Sequence, residues 1–276
     1  MAYNDPTMLY VVATPIGNLQ DISLRAIRTL EEVSLIAAED TRKTRILLKR
    51  YNIKTRLTSY YEHSKQIKTD QLVKKLMDND DIAIVSEAGM PGISDPGYEL
   101  IKGAIEKGIE VIPIPGPSAL TAALVVSGLP TNEFIYLGFL PRKKAERKKL
   151  LTSVADQPRT MVTFEAPHRI KVSLADIKDT LGNRSIAVCR ELTKTFEEVF
   201  RGSVSEAIEY FSEPKGEFTL VIEGKASEER NIDTEAIREE MKSLKENGVK
   251  VKEATVKIGE KYGINRNQAY DVWLSL

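Results

Sequence analysis

What most constrains this chain is the rhythm of its first half, where short apolar runs alternate with amphipathic stretches. Leu9–Ala13, Leu35–Ala38, Ile82–Val85 and Val111–Ile114 are short and apolar enough for buried strands. Between them, Leu24–Leu30 carries Leu24, Ile27 and Leu30 at three-residue steps. A second helical stretch has Ile46 and Leu47 apolar, a third carries Leu72 and Leu76, and Tyr98–Lys107 reads as a fourth. Such alternation predicts an α/β fold, a mostly parallel sheet with helices on both faces.

After "PIPGPSALTAALVVSGLP" the pattern resets. Strand-like runs fall at Phe134–Leu137, Met161–Phe164, Ile186–Cys189, Glu198–Phe200 and Phe218–Ile222, with helical material at Ile170–Leu181 and Val204–Phe211. This predicts a second α/β domain. From about Ala226 the chain turns helical. Asp233 can cap a helix carrying Ile237, Met241 and Leu244 that ends at Gly248. A helix with Ala254 and Ile258, a turn at Gly263, and a helix begun by Asn265 with Ala269, Val272 and Trp273 complete a helix-turn-helix pattern or a small helical cap. The expected domains are 1–122, 123–226 and 227–276.

Composition sets the setting. Hydrophobic residues at 42% and charged residues at 29% are ordinary for a globular protein. No apolar run approaches the roughly 20 residues of a membrane span, and "MAYNDPTM" lacks the basic start and apolar stretch of a secretory signal. The single cysteine, Cys189, excludes an intrachain disulfide and sits in an apolar run, so it reads as buried core. A cytoplasmic protein without a membrane partner is expected. Net charge is zero, yet basic residues cluster in "EDTRKTRILLKRYNIKTR" (39–56) and "PRKKAERKK" (141–149). These clusters are either solvated helix faces or a localised footprint for a polyanion.

Three loops follow predicted strands: "TPIGN" (14–18), "SEAGMPGISDPG" (86–97) and "PIPGPSA" (113–119). In open parallel sheets, ligands bind in the crevice beyond the carboxyl ends of the strands. Glycines allow close backbone approach and prolines fix the loop in advance. Neither a G-x-x-x-x-G-K-[ST] nor a G-x-G-x-x-G turn occurs. Glu87 and Asp95 would repel a bare polyphosphate and suit hydroxyls or a positive centre. A cationic, ribose-bearing ligand such as S-adenosyl-L-methionine fits. No metal is expected, because His and Cys do not cluster at ligand spacing.

The segments "VVATPIGNLQDISLRAIRTL", "AAEDTRKTRILLKRYNI", "VSEAGMPGISDPG", "PIPGPSALTAAL", "FEAPHRI" and "RELTKTFEEVFRG" resemble the ribosomal RNA small subunit methyltransferase I family of the tetrapyrrole methylase superfamily. The likeness runs from about residue 9 through 224, and the helical tail agrees. It implies two α/β domains with the cofactor in the cleft between them, and commonly a homodimer. It also implies methylation by S-adenosylmethionine of a cytidine 2′-hydroxyl in 16S rRNA, in the decoding region of the small ribosomal subunit. Carried onto this sequence, the cofactor contacts fall on Pro15 and Gly17, on Ala88, Gly89, Met90, Ile93, Ser94 and Asp95, and on Ser118, Ala119 and Thr121. Glu87 stands where many members carry Asp, and its longer carboxylate could reach the same polar partner.

Methyl transfer to a hydroxyl needs positioning and either a proton acceptor or a cation for the forming alkoxide. Candidates are His168, Arg169 and Glu165 in "FEAPHR", Glu39 and Asp40 in "AAEDTR", and Glu191 and Lys194 in "RELTK". His63, in a polar stretch, reads as a surface residue. The rRNA is expected along Arg42, Lys43 and Arg45 on one side of the cleft and Arg142, Lys143 and Lys144 on the other. A tetrapyrrole methyltransferase and a helix-turn-helix DNA-binding regulator are the alternatives.

Overall fold

The computed structural model describes residues 7–61, 65–211, 215–226, 234–264 and 266–276. The chain divides into two compact units, Met1–Lys225 and Ala226–Leu276. In the first, β1 (Met8–Val12), β2 (Leu35–Ala38), β3 (Arg56–Ser59), β4 (Ile82–Val85) and β5 (Glu110–Ile114) form a wholly parallel sheet in the order β3-β2-β4-β1-β5. Helices α1 (Leu24–Glu32), α2 (Thr41–Arg50), α3 (Lys65–Met77) and α4 (Tyr98–Glu106) connect the strands. One core joins Leu30, Leu47 and Leu48 to Ile36 and Val85, and another joins Leu72, Leu76 and Leu100 to Leu9 and Ile84. With both faces covered, every residue of β4 is buried, which is why this strand reads as an unbroken apolar run.

The helices lie where the spacing places them, but two of the residues expected in the core face solvent. Leu24 is 82% exposed and Ile46 is 62% exposed. Each three-residue step falls about 60° short of a full turn, so Leu24 lies about 120° round the helix from Leu30. The stripe that α1 buries is instead Ala26, Thr29 and Leu30, and α2 buries Thr44, Leu47 and Leu48. Strand β3 gave no signal, because an edge strand of sequence RLTS has little to bury.

A second sheet follows within the same unit: β6 (Phe134–Phe139), β7 (Thr160–Glu165), β8 (Ser185–Arg190), β9 (Glu198–Ser203) and β10 (Phe218–Ile222), in the order β6-β7-β10-β8-β9. Only β6 and β7 run parallel; the other pairs are antiparallel. Helix α5 (Ala119–Val126) covers one face through Ala123 and Leu124, which pack with Val162, Ala187, Cys189 and Val221. It therefore runs across the boundary expected at 122/123 and belongs with the second sheet. Helices α6 (Lys144–Ser153), α7 (Ile170–Leu181) and α8 (Val204–Tyr210) supply Leu151, Leu174, Ile177 and Val204 to a further core of this sheet.

Helix α6 corrects the reading of the second basic cluster. Arg147 is not a surface cation; it is 3% exposed. Its guanidinium donates to Asp176 Oδ2 from Nε (2.8 Å) and Nη2 (2.6 Å), and its Nη1 donates to the carbonyls of Pro141 and Arg142 at 3.0 Å each. Arg142, Lys143 and Lys144, which are exposed as Lys149 is, lie at the turn that Arg147 holds.

The second unit packs α9 (Thr234–Glu246), α10 (Val251–Tyr262) and α11 (Arg266–Leu274) around Ile237, Met241, Ala254, Ile258, Ile264 and Ala269. Gly248 and Gly263, with φ of +72° and +65°, end α9 and α10 in the left-handed conformation. Asp233, Asn265 and His63 lie outside the described residues. Among the described residues, no helix is long and apolar enough to cross a membrane.

Candidate active site

A parallel sheet sends all its strands out at one edge, so the loops after β1, β4 and β5 meet there. They are fastened to one another. Thr14 and Gly89 exchange both backbone hydrogen bonds, at 2.9 and 3.0 Å. Ser86 Oγ donates to the Ala88 and Gly89 carbonyls, and Thr14 Oγ1 donates to the Ser86 carbonyl. Gly89 holds φ +80°, a conformation costly for any other residue, while a Cβ at Gly97 would come within 2.9 Å of Gly92 N. The glycines thus serve first to let loop meet loop. The polar backbone groups of Gly89, expected to reach a ligand, are already taken by Thr14.

The knot borders a cavity of about 320 Å³ lined from both sheets. The first sheet's loops contribute Ile16, Glu39, Glu87, Ala88, Gly89, Met90, Ile93, Asp95, Ser118 and Ala119, so most of the expected cofactor contacts stand together here. Pro15, Gly17, Ser94 and Thr121 are not among the lining residues. A Cβ on Gly17 would meet Lys194 Cγ at 2.5 Å and Thr193 Oγ1 at 2.7 Å, so its missing side chain admits the 192–194 turn rather than a ligand. Ser94, at φ +64°, shares a 2.7 Å hydrogen bond with the Tyr136 hydroxyl on β6 and so ties the second loop to the second sheet.

The far wall was largely unanticipated: Phe139, Phe164, Cys189, Leu192, Glu217 and Phe218 stand there with Glu165, the one catalytic candidate among the lining residues of the second sheet. Phe164 meets Phe139 and Tyr136 edge-on, with ring centroids 5.5 and 5.3 Å apart. Phe139 and Phe164 sit at or beside the carboxyl ends of β6 and β7, the same rule that located the first loops. Applied to the second domain, that rule could have found them. Cys189 is buried as expected, and burial pushes its thiol up to about 11.

The carboxylates differ sharply in their company. Glu87 pairs with Lys43 of α2, and its amide donates to Glu39 Oε2 at 3.1 Å. Glu217 binds Lys194 at 2.9 Å, and Lys194 also binds Glu191 at 2.8 Å. Glu165, 1% exposed, accepts from Arg169 (2.5 Å), the Ala166 amide (2.7 Å) and Ser173 Oγ. Asp40 caps α2; the Arg42 side chain, then the Arg42 amide, hold it at about 2. It does not line the cavity, and a base so weak is a poor proton acceptor. His168 is exposed in the 3-10 turn Pro167–Arg169, also outside the lining. Asp95 forms no ion pair among the described residues. Burial, with Glu39 and Glu217 nearby, lifts it to about 7 against the opposing hydrogen bond from Ser86.

The family model for Tetrapyrrole (Corrin/Porphyrin) Methylases matches residues 8–208. A Synechocystis protein called Ribosomal RNA small subunit methyltransferase I is 48% identical, the likeness covering 98% of each chain. A Thermotoga maritima protein of the same name is 49% identical over 79% of this chain and 98% of its own. A crystal structure of diphthine synthase shares the fold, with a TM-score of 0.64 at 14% identity, covering 79% of this chain and 90% of that one. The fastened loops, the cavity they border and these likenesses agree: the chain belongs to the ribosomal RNA small subunit methyltransferase I family of the tetrapyrrole methylases.

Proposed function

We propose that this chain uses S-adenosyl-L-methionine to methylate the 2′-hydroxyl of a cytidine in 16S rRNA of the small ribosomal subunit, in its decoding region. The observation that carries this reading is the 48% identity over nearly the whole chain to a protein named for that RNA subunit. The cavity between the sheets suits the cofactor. Ile16, Met90, Leu120 and Phe139 offer apolar surface to a purine, while Glu87 and Asp95 offer carboxylates to ribose hydroxyls or cationic groups. When bound, S-adenosylmethionine supplies a methyl group already activated on a sulfonium. The protein's part is to hold the acceptor hydroxyl in line, exclude water and take the proton. Ala88, Ser118 and Ala119 shape the wall, whereas Pro15, Gly17, Ser94 and Thr121 do not line it. The homodimer implied by the family belongs to the same proposal, and sedimentation of the purified protein tests it.

Two basic rims support an RNA acceptor. Lys43 sits at the cavity mouth through its pair with Glu87, although Arg42 is engaged with Asp40 at 2.9 Å. Arg142, Lys143 and Lys144 follow Phe139, a lining residue, by a few positions. Lys143 pairs with Glu146 at 3.1 Å, but both side chains are exposed. A pair so solvated holds the ammonium weakly, and the rim remains available to phosphates. Changing all three to alanine is expected to weaken binding to the small subunit. It should also flatten the log–log salt dependence by roughly 0.7–0.9 for each phosphate no longer neutralised. S-adenosylmethionine affinity should stay unchanged. A wild-type salt slope in the triple variant would place the RNA elsewhere.

A further inference from the structure

The acceptor hydroxyl must release a proton, and the side chains singled out from sequence for that task are engaged or misplaced. Glu39 accepts from the Glu87 amide at 3.1 Å, Asp40 is tied into the α2 cap, Glu165 is shared by Arg169, Ser173 and the Ala166 amide, and Glu191 is held by Lys194. Arg169 also donates to the Leu140 carbonyl at 2.9 Å, and His168 is exposed outside the cavity lining. Asp95 lines the cavity, is half-buried, and lacks an ion-pair partner among the described residues. Its loop is pinned on one side by the Thr14–Gly89 bonds and on the other by the Ser94–Tyr136 bond.

Resting on the activity proposed above, we propose that Asp95 accepts the hydroxyl proton, and that the charge of the bound cofactor keeps it ready to do so. As the oxygen–methyl bond forms, the sulfur–methyl bond breaks and its electron pair goes to sulfur. The O–H pair stays on oxygen and the proton passes to an Asp95 carboxylate oxygen. A carboxylate and a sulfonium thereby become a carboxylic acid and a neutral thioether.

The surroundings suit this exchange. Glu39 and Glu217 oppose an ionised Asp95, and Ser86 supports it by a hydrogen bond. Of the other charged groups around the cavity, Glu87 is paired with Lys43 and Glu165 with Arg169, while Lys194 is shared between Glu217 and Glu191. Tyr136, bonded to the neighbouring Ser94, is itself pushed up by burial and by Asp95. A sulfonium in the cavity favours the ionised carboxylate. Once the methyl has gone that support disappears, and the carboxyl returns toward its value of about 7, so it gains proton affinity as the proton must leave.

The test compares S-adenosylmethionine with S-adenosylhomocysteine, which is neutral at sulfur, using the full chain and its Asp95→Asn variant. Calorimetry between about pH 5.5 and 8.5 gives both affinities, and single-turnover transfer to undermethylated small subunits gives the rate. For the wild type, S-adenosylmethionine affinity should fall toward tenfold per pH unit below about 7, while S-adenosylhomocysteine affinity shows no such fall. In Asp95→Asn that difference should vanish, S-adenosylhomocysteine should still bind, and the saturated single-turnover rate should drop about 10²–10⁴-fold.

Folding should survive the change. An acid raised on folding stabilises the protein below its ordinary range near pH 4 and loses that contribution as pH rises through about 7. Asparagine mimics the protonated form, so the variant should match the wild type only at about pH 3 and exceed its stability increasingly from about pH 4 to pH 8. A wild-type single-turnover rate in Asp95→Asn at saturating cofactor would overturn the proposal, leaving Asp95 a counter-charge. Identical pH dependence for the two ligands in the wild type would overturn it equally. A wild type that binds the cofactor but methylates no subunit would instead overturn the activity on which the proposal rests.

Discussion

Arg147→Ala is expected to destabilise the first compact unit by about 3–5 kcal/mol, the cost of leaving a buried charge without its partner. The residue left behind, Asp176, is 3% exposed. Its next cation is Lys148, 3.9 Å away and partly solvated, which cannot replace two bonds of 2.8 and 2.6 Å. The carbonyls of Pro141 and Arg142 also lose their donor, so the turn bearing Arg142, Lys143 and Lys144 should loosen. For a unit of this size the melting temperature should fall by about 6–20 °C. Lysine should not rescue it, because one ammonium cannot reproduce the planar fork. Arg147→Met combined with Asp176→Leu should recover most of the loss, since matched apolar replacement avoids the stranded charge. Urea unfolding decides the matter: a cost below about 1 kcal/mol for Arg147→Ala would mean that solvent relaxes around Asp176.

Gly89→Val should abolish most cofactor affinity in a protein that still folds. At φ +80°, a β-branched residue costs about 1–3 kcal/mol in backbone strain. A bare Cβ has room, since its nearest atoms would be Ile16 Cγ2 at 3.6 Å and Pro117 O at 3.8 Å. Gly89→Ala therefore isolates the strain, while valine adds two carbons at the cavity wall. The expected loss for valine is about 100-fold or more in S-adenosylmethionine affinity, equivalent to about 3 kcal/mol. Alanine should lose markedly less. Calorimetry with circular dichroism on both variants checks this, and equal losses would show that strain in the Thr14–Gly89 knot, rather than bulk in the cavity, governs binding.

Four of the five strands of the first sheet, and the loops after β1, β4 and β5, were legible because their physics is local. A strand covered on both faces is apolar throughout, as Ile82–Val85 is, and a loop forced through positive φ must draw on glycine, as Gly89 does. The far wall was not legible in the same way. Glu217 and Phe218 reach the cavity only because β10 runs antiparallel between β7 and β8, a pairing that no local pattern announces. Arg147 is one basic residue among six in its cluster, and only tertiary packing separates the buried one from those on the rim. Gly17 looks the same whether a ligand or another stretch of chain approaches it. Here the 192–194 turn does. Glu87 similarly gains its meaning from Lys43, forty-four positions earlier and one crossover away.

Purified protein, methyl-labelled S-adenosylmethionine and small ribosomal subunits lacking the modification provide the most direct test of ribose methylation at this cavity. After incubation, the 16S rRNA is digested to nucleosides and the labelled one is identified. The predicted product is 2′-O-methylcytidine from a single position, formed by the wild type and lost in Gly89→Val. Label on a base, or no label in RNA from a protein that demonstrably binds the cofactor, would contradict it.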